Sequence, residues 1–189
     1  MNLELSVFSG KEDFVIDDTN SPLVEQIDED SRYYFDFTVG VYHKKKEVGV
    51  IHGLVYDESA MLDDGYNPVD VADWYSQEAH DAIFCLVNNP LYKIKHPDHI
   101  FHNTFLAYIS KFYVDPEYRG RGIGKFLIHN LYDILLYTLN IHVRCFTIIP
   151  RDDVSSDMKK IMIKTIEDAG YKQINKEMNV YALNSYNQD

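Results

Sequence analysis

Aromatic and β-branched residues fill two neighbouring segments in the first third of the chain. Residues 33–41 read YYFDFTVGV and residues 47–56 read EVGVIHGLVY, and the run between them, residues 43–46, has no apolar side chain. This pattern predicts an antiparallel hairpin of two long strands. Apolar and polar residues alternate over residues 3–8, which predicts a shorter strand before the hairpin.

The middle of the chain changes to the period of an amphipathic helix. Residues 69–87 place apolar side chains at helical spacing, and residues 122–139 do the same. Between these two predicted helices, residues 90–103 have the composition of a loop and residues 105–114 that of a strand.

The last third of the chain begins with a strongly apolar segment. Residues 141–149 are nearly all apolar, which is typical of a strand buried on both faces. Asp153 or Ser155 can cap a following helix, which we expect to run to Ala169.

Two short strands are predicted at the end, over residues 171–175 and 179–183. The chain therefore has one strand–helix–strand unit, residues 105–149, with antiparallel hairpins on either side. This order predicts a mixed α/β (α+β) fold, and the length favours a single domain over residues 1–189.

The charge of the chain is strongly negative and unevenly distributed. Asp and Glu total 30 against 18 Lys and Arg, a net charge of −12. Residues 11–31 and 57–103 hold more than half of the acids but only Lys11, Lys93 and Lys95 among the bases. An acidic chain is a poor binder of nucleic acid or an anionic membrane, so we expect neither partner and favour a cationic one.

The cysteines and the apolar runs indicate in which cellular compartment we expect the protein. Cys85 and Cys145 lie in separate apolar segments and neither belongs to a CxxC motif, which is typical of reduced core residues in a cytoplasmic protein. No apolar run approaches the roughly 20 residues that span a bilayer. The first residues also lack the pattern of a secretory signal.

The segment with the clearest chemistry is residues 114–125, VDPEYRGRGIGK, which leads from a strand end through a turn into a helix. Its glycines and basic residues are Gly120, Gly122, Gly124, Arg119, Arg121 and Lys125. Glycines leave room for a ligand at the main chain, and helix-start N–H groups with nearby cations favour an anion. The spacing fits neither the P-loop GxxxxGK[ST] nor the dinucleotide fingerprint GxGxxG.

The run Arg119 to Gly124 does meet the pattern [RQ]-x-x-G-x-[GA]. Together with the strand before it, residues 108–114, it resembles the acetyl-CoA-binding core of the GNAT N-acetyltransferase superfamily. The resemblance covers residues 33–56 and 104–183. It implies the GNAT acyl-CoA N-acyltransferase fold, in which helices flank a mixed central sheet that is split between its fourth and fifth strands.

The resemblance also implies how acetyl-CoA would bind as co-substrate, with no metal. The pantetheine arm would run along the main chain of Phe112, Tyr113 and Val114. The pyrophosphate would lie on a turn that Arg119 opens. The N–H groups of that turn belong to Gly120, Arg121, Gly122, Ile123, Gly124 and Lys125.

The chain departs from the superfamily in two respects. Many members carry an Asn and a Tyr on the helix after the next strand, where this chain has Lys159 and Ile166, so the usual proton donor to the departing thiolate is missing. The two helices that commonly follow the first strand do not fit residues 9–32. Instead, an acidic helical insert occupies residues 57–103.

Two residues are candidates for catalysis. His52, in the middle of a predicted strand, has a side chain whose pKa suits a base that deprotonates an ammonium. Tyr108 lies where some relatives place a carboxylate base and could order a water or bind the acceptor; the alternative is a core aromatic residue. Glu78, on the inserted helix, is a weaker candidate for a base or an amine anchor, and the alternative is a solvated residue of the helix face. Trp74 is expected to be core rather than a substrate platform.

A few polar groups have simpler interpretations. His96, His99 and His102 have a spacing that suggests metal ligands, but Pro97 between them favours a solvated loop. Ser155 is expected to cap a helix.

The resemblance predicts an acetyl-CoA-dependent N-acetyltransferase in which a primary amine attacks the thioester directly in a ternary complex. The alternative is a non-catalytic acyl-CoA-binding module with the same fold. The acidic segments favour a cationic small-molecule or peptide amine as acceptor. The chain is also compatible with a homodimer.

Overall fold

Seven strands form one mixed sheet at the centre of the molecule. The computed structural model describes residues 3–9, 32–93, 104–150 and 155–187. The strands are β1 (Glu4–Ser9), β2 (Tyr34–His43), β3 (Lys46–Asp57), β4 (Phe105–Val114), β5 (Val143–Ile148), β6 (Lys172–Asn175) and β7 (Val180–Asn184). Their spatial order is β1-β2-β3-β4-β5-β7-β6, and β4 and β5 are parallel whereas the other neighbours are antiparallel. The predicted mixed α/β class is confirmed.

Six helices cover the two faces of the sheet in the described part of the chain. They are α1 (Glu58–Asp63), α2 (Pro68–Tyr75), α3 (Gln77–Val87), α4 (Ile123–His129), α5 (Leu131–Leu139) and α6 (Ser156–Asp168). Helices α4, α5 and α6 pack on one face around residues such as Ile51, Ala107 and Phe146. Helices α1, α2 and α3 pack on the other around Leu54 and Leu106. The predicted insert therefore forms a layer of its own.

The β2–β3 hairpin closes through the predicted polar run. Lys44 and Lys45 have φ angles of 51° and 68°, so both occupy the left-handed region that tight two-residue hairpin turns require. The turn brings Lys46 opposite His43. The hairpin prediction is confirmed, with each strand extending one or two residues further than the sequence pattern indicated.

Two helices that the sequence pattern predicted as continuous are each interrupted once. Asn130 separates α4 from α5, and its side-chain Nδ2 donates to the carbonyl of Phe126 at 2.7 Å. Ser76 is extended between α2 and α3, and its Oγ accepts from the N–H of Ala79 at 3.1 Å. Short polar side chains compete with the helical hydrogen-bond pattern in this way, which apolar periodicity does not register.

Other boundaries agree with the sequence. Strand β4 has the predicted bounds, and Ser155 caps α6 by accepting from the N–H of Met158. Helix α1 was not predicted. Residues 10–31, where the absence of two helices was expected, lie outside the described residues, as do His96, His99 and His102.

The described residues contain no group of three or more His, Cys, Asp or Glu side chains that could hold a metal ion. No described helix combines the length and the apolarity that crossing a bilayer requires. Cys85 and Cys145 are free and buried, and burial raises the pKa of the Cys145 thiol to about 12.

A buried ion pair ties the inserted helices to the sheet. Arg144, in β5, donates from one Nη to both carboxylate oxygens of Glu58 at 2.6 Å, and both residues are at most 5% exposed. Tyr92 and Thr104 also donate to the Glu58 carboxylate, and the Tyr92 ring lies 4.4 Å from the guanidinium. These four residues come from four separate stretches of chain, and the ion pair links the first residue of α1 to β5.

We expect Arg144→Met to destabilise the fold by about 3–5 kcal/mol, because it leaves the Glu58 carboxylate buried without its cation. Urea unfolding measures this loss. In the double variant Glu58→Gln/Arg144→Met the cost should fall well below the sum of the two single variants. A cost under 1 kcal/mol for Arg144→Met would contradict a structural role for the pair.

Candidate active site

The sheet opens between its fourth and fifth strands. Strand β4 pairs with β5 from Phe105 to Ile109, where Ile109 lies opposite Ile148. Beyond Ile109, β4 continues to Val114 while pairing only with β3 among the described residues. One edge of the second half of β4 is therefore available for main-chain hydrogen bonds to a ligand.

A β-bulge marks the start of this opening. Gly53 of β3 lies opposite Ile109, and the next residue back, His52, lies opposite Lys111, so Ser110 is the extra residue on β4. The Ser110 hydroxyl donates to the carbonyl of His52 at 3.3 Å. Bulges change the direction of the groups around them, and here the change occurs where β4 leaves β5.

The turn after β4 is anchored to the β2–β3 hairpin. Asp115 accepts from the N–H of Glu117 at 2.9 Å and pairs with Lys46 at 2.9 Å. The hydrogen bond from Lys46 holds the pKa of Asp115 below its ordinary value. Tyr118 adds a second contact, since its hydroxyl lies 3.0 Å from Nδ1 of His43. The turn is thus held in place before any ligand arrives.

The glycines of the turn leave open space at the main chain. Gly120 and Gly122 have φ angles of 70° and 83°, and a Cβ atom at either position would meet nothing within 4 Å. Gly122 is the N-cap of α4, so the N–H groups of the first turn of α4 follow it. A Cβ on Gly124 would lie 3.1 Å from the Phe112 ring, so this glycine lets α4 pack closely on β4.

Three basic side chains, Arg119, Arg121 and Lys125, belong to this turn. The Nε of Arg119 donates to the carbonyl of Val114 at 2.9 Å, and one of its Nη atoms lies 3.3 Å from Sδ of Met158 on α6. The Arg121 guanidinium lies 5.1 Å from the centre of the Tyr118 ring. Lys125 is exposed in the first turn of α4. The turn combines open main chain with positive charge, as an anion site requires.

The opposite face of the sheet carries the second group of polar side chains. His52 is half-buried, and its Nδ1 lies 2.7 Å from the Thr38 hydroxyl on β2. Burial lowers the pKa of His52 below its ordinary value, and the positive charge of Lys111 lowers it further, whereas Glu47 and Asp36 act in the opposite direction. A lowered pKa favours the neutral imidazole, which is the form that can accept a proton.

Tyr108 lies on the same face, one row further along the sheet. Its ring is 2% exposed, and its hydroxyl donates to Oε2 of Glu78 on α3 at 3.2 Å. We call the polar side chains on this face of the sheet, together with those at the break between α2 and α3, the junction site: Asp36, His52, Tyr75, Glu78 and Tyr108.

The sequence profile of the acetyltransferase (GNAT) family matches residues 11–147, most of the chain. The chain belongs to this family. The family confirms the predicted enzyme class, an acetyl-CoA-dependent acetyltransferase.

Three solved structures illustrate the likeness. The Bacillus subtilis N-acetyltransferase YlbP, in complex with coenzyme A, has 12% identity over 78% of this chain, which spans 66% of YlbP, with a TM-score of 0.40. Arabidopsis thaliana NAA60, in complex with a bisubstrate analogue, has 11% identity over 80% of this chain and 75% of its own, with a TM-score of 0.43. The Drosophila melanogaster polyamine N-acetyltransferase has 14% identity over 78% and 74%, with a TM-score of 0.41. No curated protein matches the sequence at a significant level.

In this acetyltransferase both positions of the first departure, Lys159 and Ile166, lie on α6. Ile166 is fully buried in the core beneath α6, so it contributes no polar group to the opening between β4 and β5. Lys159 is half-buried one helical turn after the cap. Ser155 serves as the cap, as expected.

The expectation that Trp74 belongs to the core is wrong. Its side chain is 45% exposed, and it packs edge-on against Tyr33 and Tyr66 at 6.1 and 5.3 Å between ring centres. Helix α2 is short and its last residues point away from the sheet. The helical spacing of apolar residues therefore predicted more buried positions than the structure has.

Sequence reasoning missed the contribution of β2 to the junction site. Asp36 lies opposite Leu54, which in turn lies opposite Tyr108, and Thr38 lies opposite His52. The alternation of Tyr34, Asp36 and Thr38 was a signal that these side chains share one face of β2. The residues of β4 that lie beside these side chains can be identified only from the strand register on either side of the bulge.

Proposed function

We propose that this acetyltransferase moves the acetyl group of acetyl-CoA to a primary amine by direct attack in a ternary complex. The observation that carries the proposal is the free edge of β4 beside an open, basic glycine turn. In this proposal the pantetheine arm and the pyrophosphate of acetyl-CoA lie on one continuous surface. The amine approaches from the junction site.

The residues fit the cofactor in two places. The main chain of Phe112, Tyr113 and Val114 has the free edge that the amides of a pantetheine arm would bind. The turn from Gly120 to Lys125 offers N–H groups and unfilled space to a pyrophosphate, with Arg119 and Arg121 beside it. Acetyl-CoA, when bound, supplies an acetyl group activated as a thioester.

The chain's own groups would act on either side of that acetyl group. In the proposed mechanism, main-chain N–H groups near the Ser110 bulge donate to the acetyl oxygen, where negative charge develops during attack. His52 takes a proton from the incoming ammonium, since its neutral imidazole lies on the strand next to the bulge. Tyr108 supports the site by holding Glu78 rather than by exchanging protons.

One observation favours the second candidate function, a non-catalytic acyl-CoA-binding module. The family's usual proton donor to the thiolate is replaced by the buried Ile166. The thiol of CoA is a fair leaving group, however, so solvent can supply this proton, and a transferase remains the better conclusion. Release of CoA in the presence of primary amines distinguishes the two.

Binding of acetyl-CoA should raise the melting temperature by several degrees at 100 times its dissociation constant, which corresponds to about 2.7 kcal/mol. Gly122→Asp should abolish the shift, because a carboxylate would occupy the open space and repel the pyrophosphate. Differential scanning fluorimetry measures both.

Gly65→Asp is the matched control for that variant. Gly65 also has a positive φ, 80°, and a Cβ there would meet nothing within 4 Å, so the substitution adds the same charge and comparable backbone strain far from the turn. Its shift with acetyl-CoA should equal that of the wild type. A full shift in Gly122→Asp, or none in the wild type, would contradict the proposed cofactor site.

The acid limb of the pH profile of kcat/KM should have an apparent pKa below 6.5, the ordinary value for histidine. His52→Gln should remove the limb and lower kcat/KM by about 10²–10⁴-fold. Lys111→Met should move the limb to higher pH, because it removes a positive charge that opposes protonation of His52. His129→Gln, at an exposed histidine on α4, is the control. An unchanged limb in His52→Gln would exclude His52 as the base.

A further inference from the structure

The break between α2 and α3 lies above the strands that carry Tyr34 and Tyr108. Helix α2 ends at Tyr75, Ser76 is extended, and α3 begins at Gln77. Tyr108, directly below the start of α3, is covered, whereas Asp36 on β2 is exposed and the Tyr75 ring is 45% exposed. The row that joins Asp36, Leu54 and Tyr108 across the sheet is thus covered at Tyr108 and exposed at Asp36, and we call the space above its exposed end the opening.

Two carboxylates border this opening without a cation. Among the described residues, neither Asp36 nor Glu78 forms an ion pair with a Lys, Arg or His side chain within 4.0 Å. Glu78 accepts the hydroxyl of Tyr108, which holds one of its oxygens over the sheet. Two carboxylates on facing layers, one of them held by a buried tyrosine, are suited to a positively charged group.

A buried hydroxyl beneath the opening gives independent evidence of a ligand. Tyr56 has no exposed surface, and within the described part of the chain its hydroxyl has no hydrogen-bond partner. The Tyr56 ring lies 6.0 Å from that of Tyr34, on the face of the sheet that also carries Asp36 and Leu54. A buried polar group normally has a partner, and here a bound N–H group or a water would supply one.

Aromatic rings surround the same space. The Tyr34 ring lies 6.0 Å from that of Tyr56 and 6.1 Å from that of Tyr75. Faces of such rings attract organic cations, and phenol hydroxyls accept hydrogen bonds from ammonium groups. The opening therefore combines the two features by which proteins recognise an alkylammonium ion.

The register sets the distance from this opening to the proposed base. Asp36 is two residues from Thr38, which lies opposite His52, and side chains two apart on a strand are about 7 Å apart on one face. An ammonium held at Asp36 is thus about one butyl chain away from an amine at His52. A diamine of that length could reach both positions.

We propose that the junction site selects acceptors that carry a second ammonium group, which Asp36 and Glu78 hold against the tyrosine rings while His52 faces the reacting amine. The inference rests on the proposed transferase function and specifies its acceptor as a short aliphatic diamine. The inserted helices are then the part of the chain that determines specificity.

The test compares diaminobutane with butylamine, which has the same chain and a single amine. We expect the wild type to show kcat/KM at least tenfold higher for the diamine. In Asp36→Asn and in Glu78→Gln this ratio should fall by about tenfold, as expected for loss of a charged hydrogen bond. The glutamine can still accept from Tyr108, so the second variant preserves the packing of α3.

Asp168→Asn is the control, because it removes an exposed acid from α6 on the other face of the sheet and should leave the ratio unchanged. Equal kcat/KM for the two amines in the wild type, or a ratio that Asp36→Asn does not lower, would overturn the inference and leave the transferase function intact. CoA release with neither amine would overturn both.

Discussion

The departure of β4 from β5 is the constraint on which the proposed site depends. Two neighbouring parallel strands normally stay hydrogen-bonded along the length that they share. Here the pairing of β4 with β5 stops at Ile109, whereas β4 runs on to Val114. The bulge at Ser110 lies where this pairing stops. Main-chain N–H and C=O groups of this free edge are polar and directional, so they suit a ligand that carries amides along an extended arm.

The two layers of helices give this edge two different approaches. On one face, Gly124 brings α4 close to Phe112, and Arg119 joins the end of β4 to α6. On the other, the inserted helices place Glu78 above Tyr108. The two faces meet at the bulge, so a cofactor from one side and an acceptor from the other would approach the same point in the sheet.

The position of the insert depends on a buried charge pair rather than on apolar packing alone. Glu58 follows β3 directly and is held by Arg144 from β5, by Tyr92 and by Thr104. A buried ion pair contributes little net stability compared with an apolar contact, but it tolerates only one geometry. The pair links the first residue of α1 to β5, and α2 and α3 follow α1 through short connections.

The sequence predicted the parts of the structure that depend on local pattern. The bounds of β4, the cap at Ser155 and the polar hairpin turn all follow from residue type and spacing. The breaks at Asn130 and Ser76 did not, because a single side chain that bonds to the main chain leaves the apolar period intact. The helical period of residues 69–87 also did not indicate that the insert would form a separate layer on the sheet.

The residues of the candidate site likewise fall into a group that the sequence predicted and a group that it did not. The glycine turn was readable because its motif is contiguous, whereas Asp36 belongs to the junction site only through the register of three strands. That register changes at a bulge for which the sequence of β4 has no signal. Glu58 reads as a surface acid in the sequence, and only its pairing with Arg144 explains its burial. The roles of His52 and of the cofactor residues remain predictions.

The most direct test of the central claim is a crystal structure with a conjugate in which diaminobutane is joined to the sulfur of CoA through an acetyl linker. The account predicts that the sulfur lies in the gap that begins beyond the last paired residues, Ile109 and Ile148, next to Ser110. The pyrophosphate should lie on residues 120–125 and the free ammonium beside Asp36. A conjugate that binds along another edge of the sheet, or whose ammonium lies on the α6 face, would contradict it.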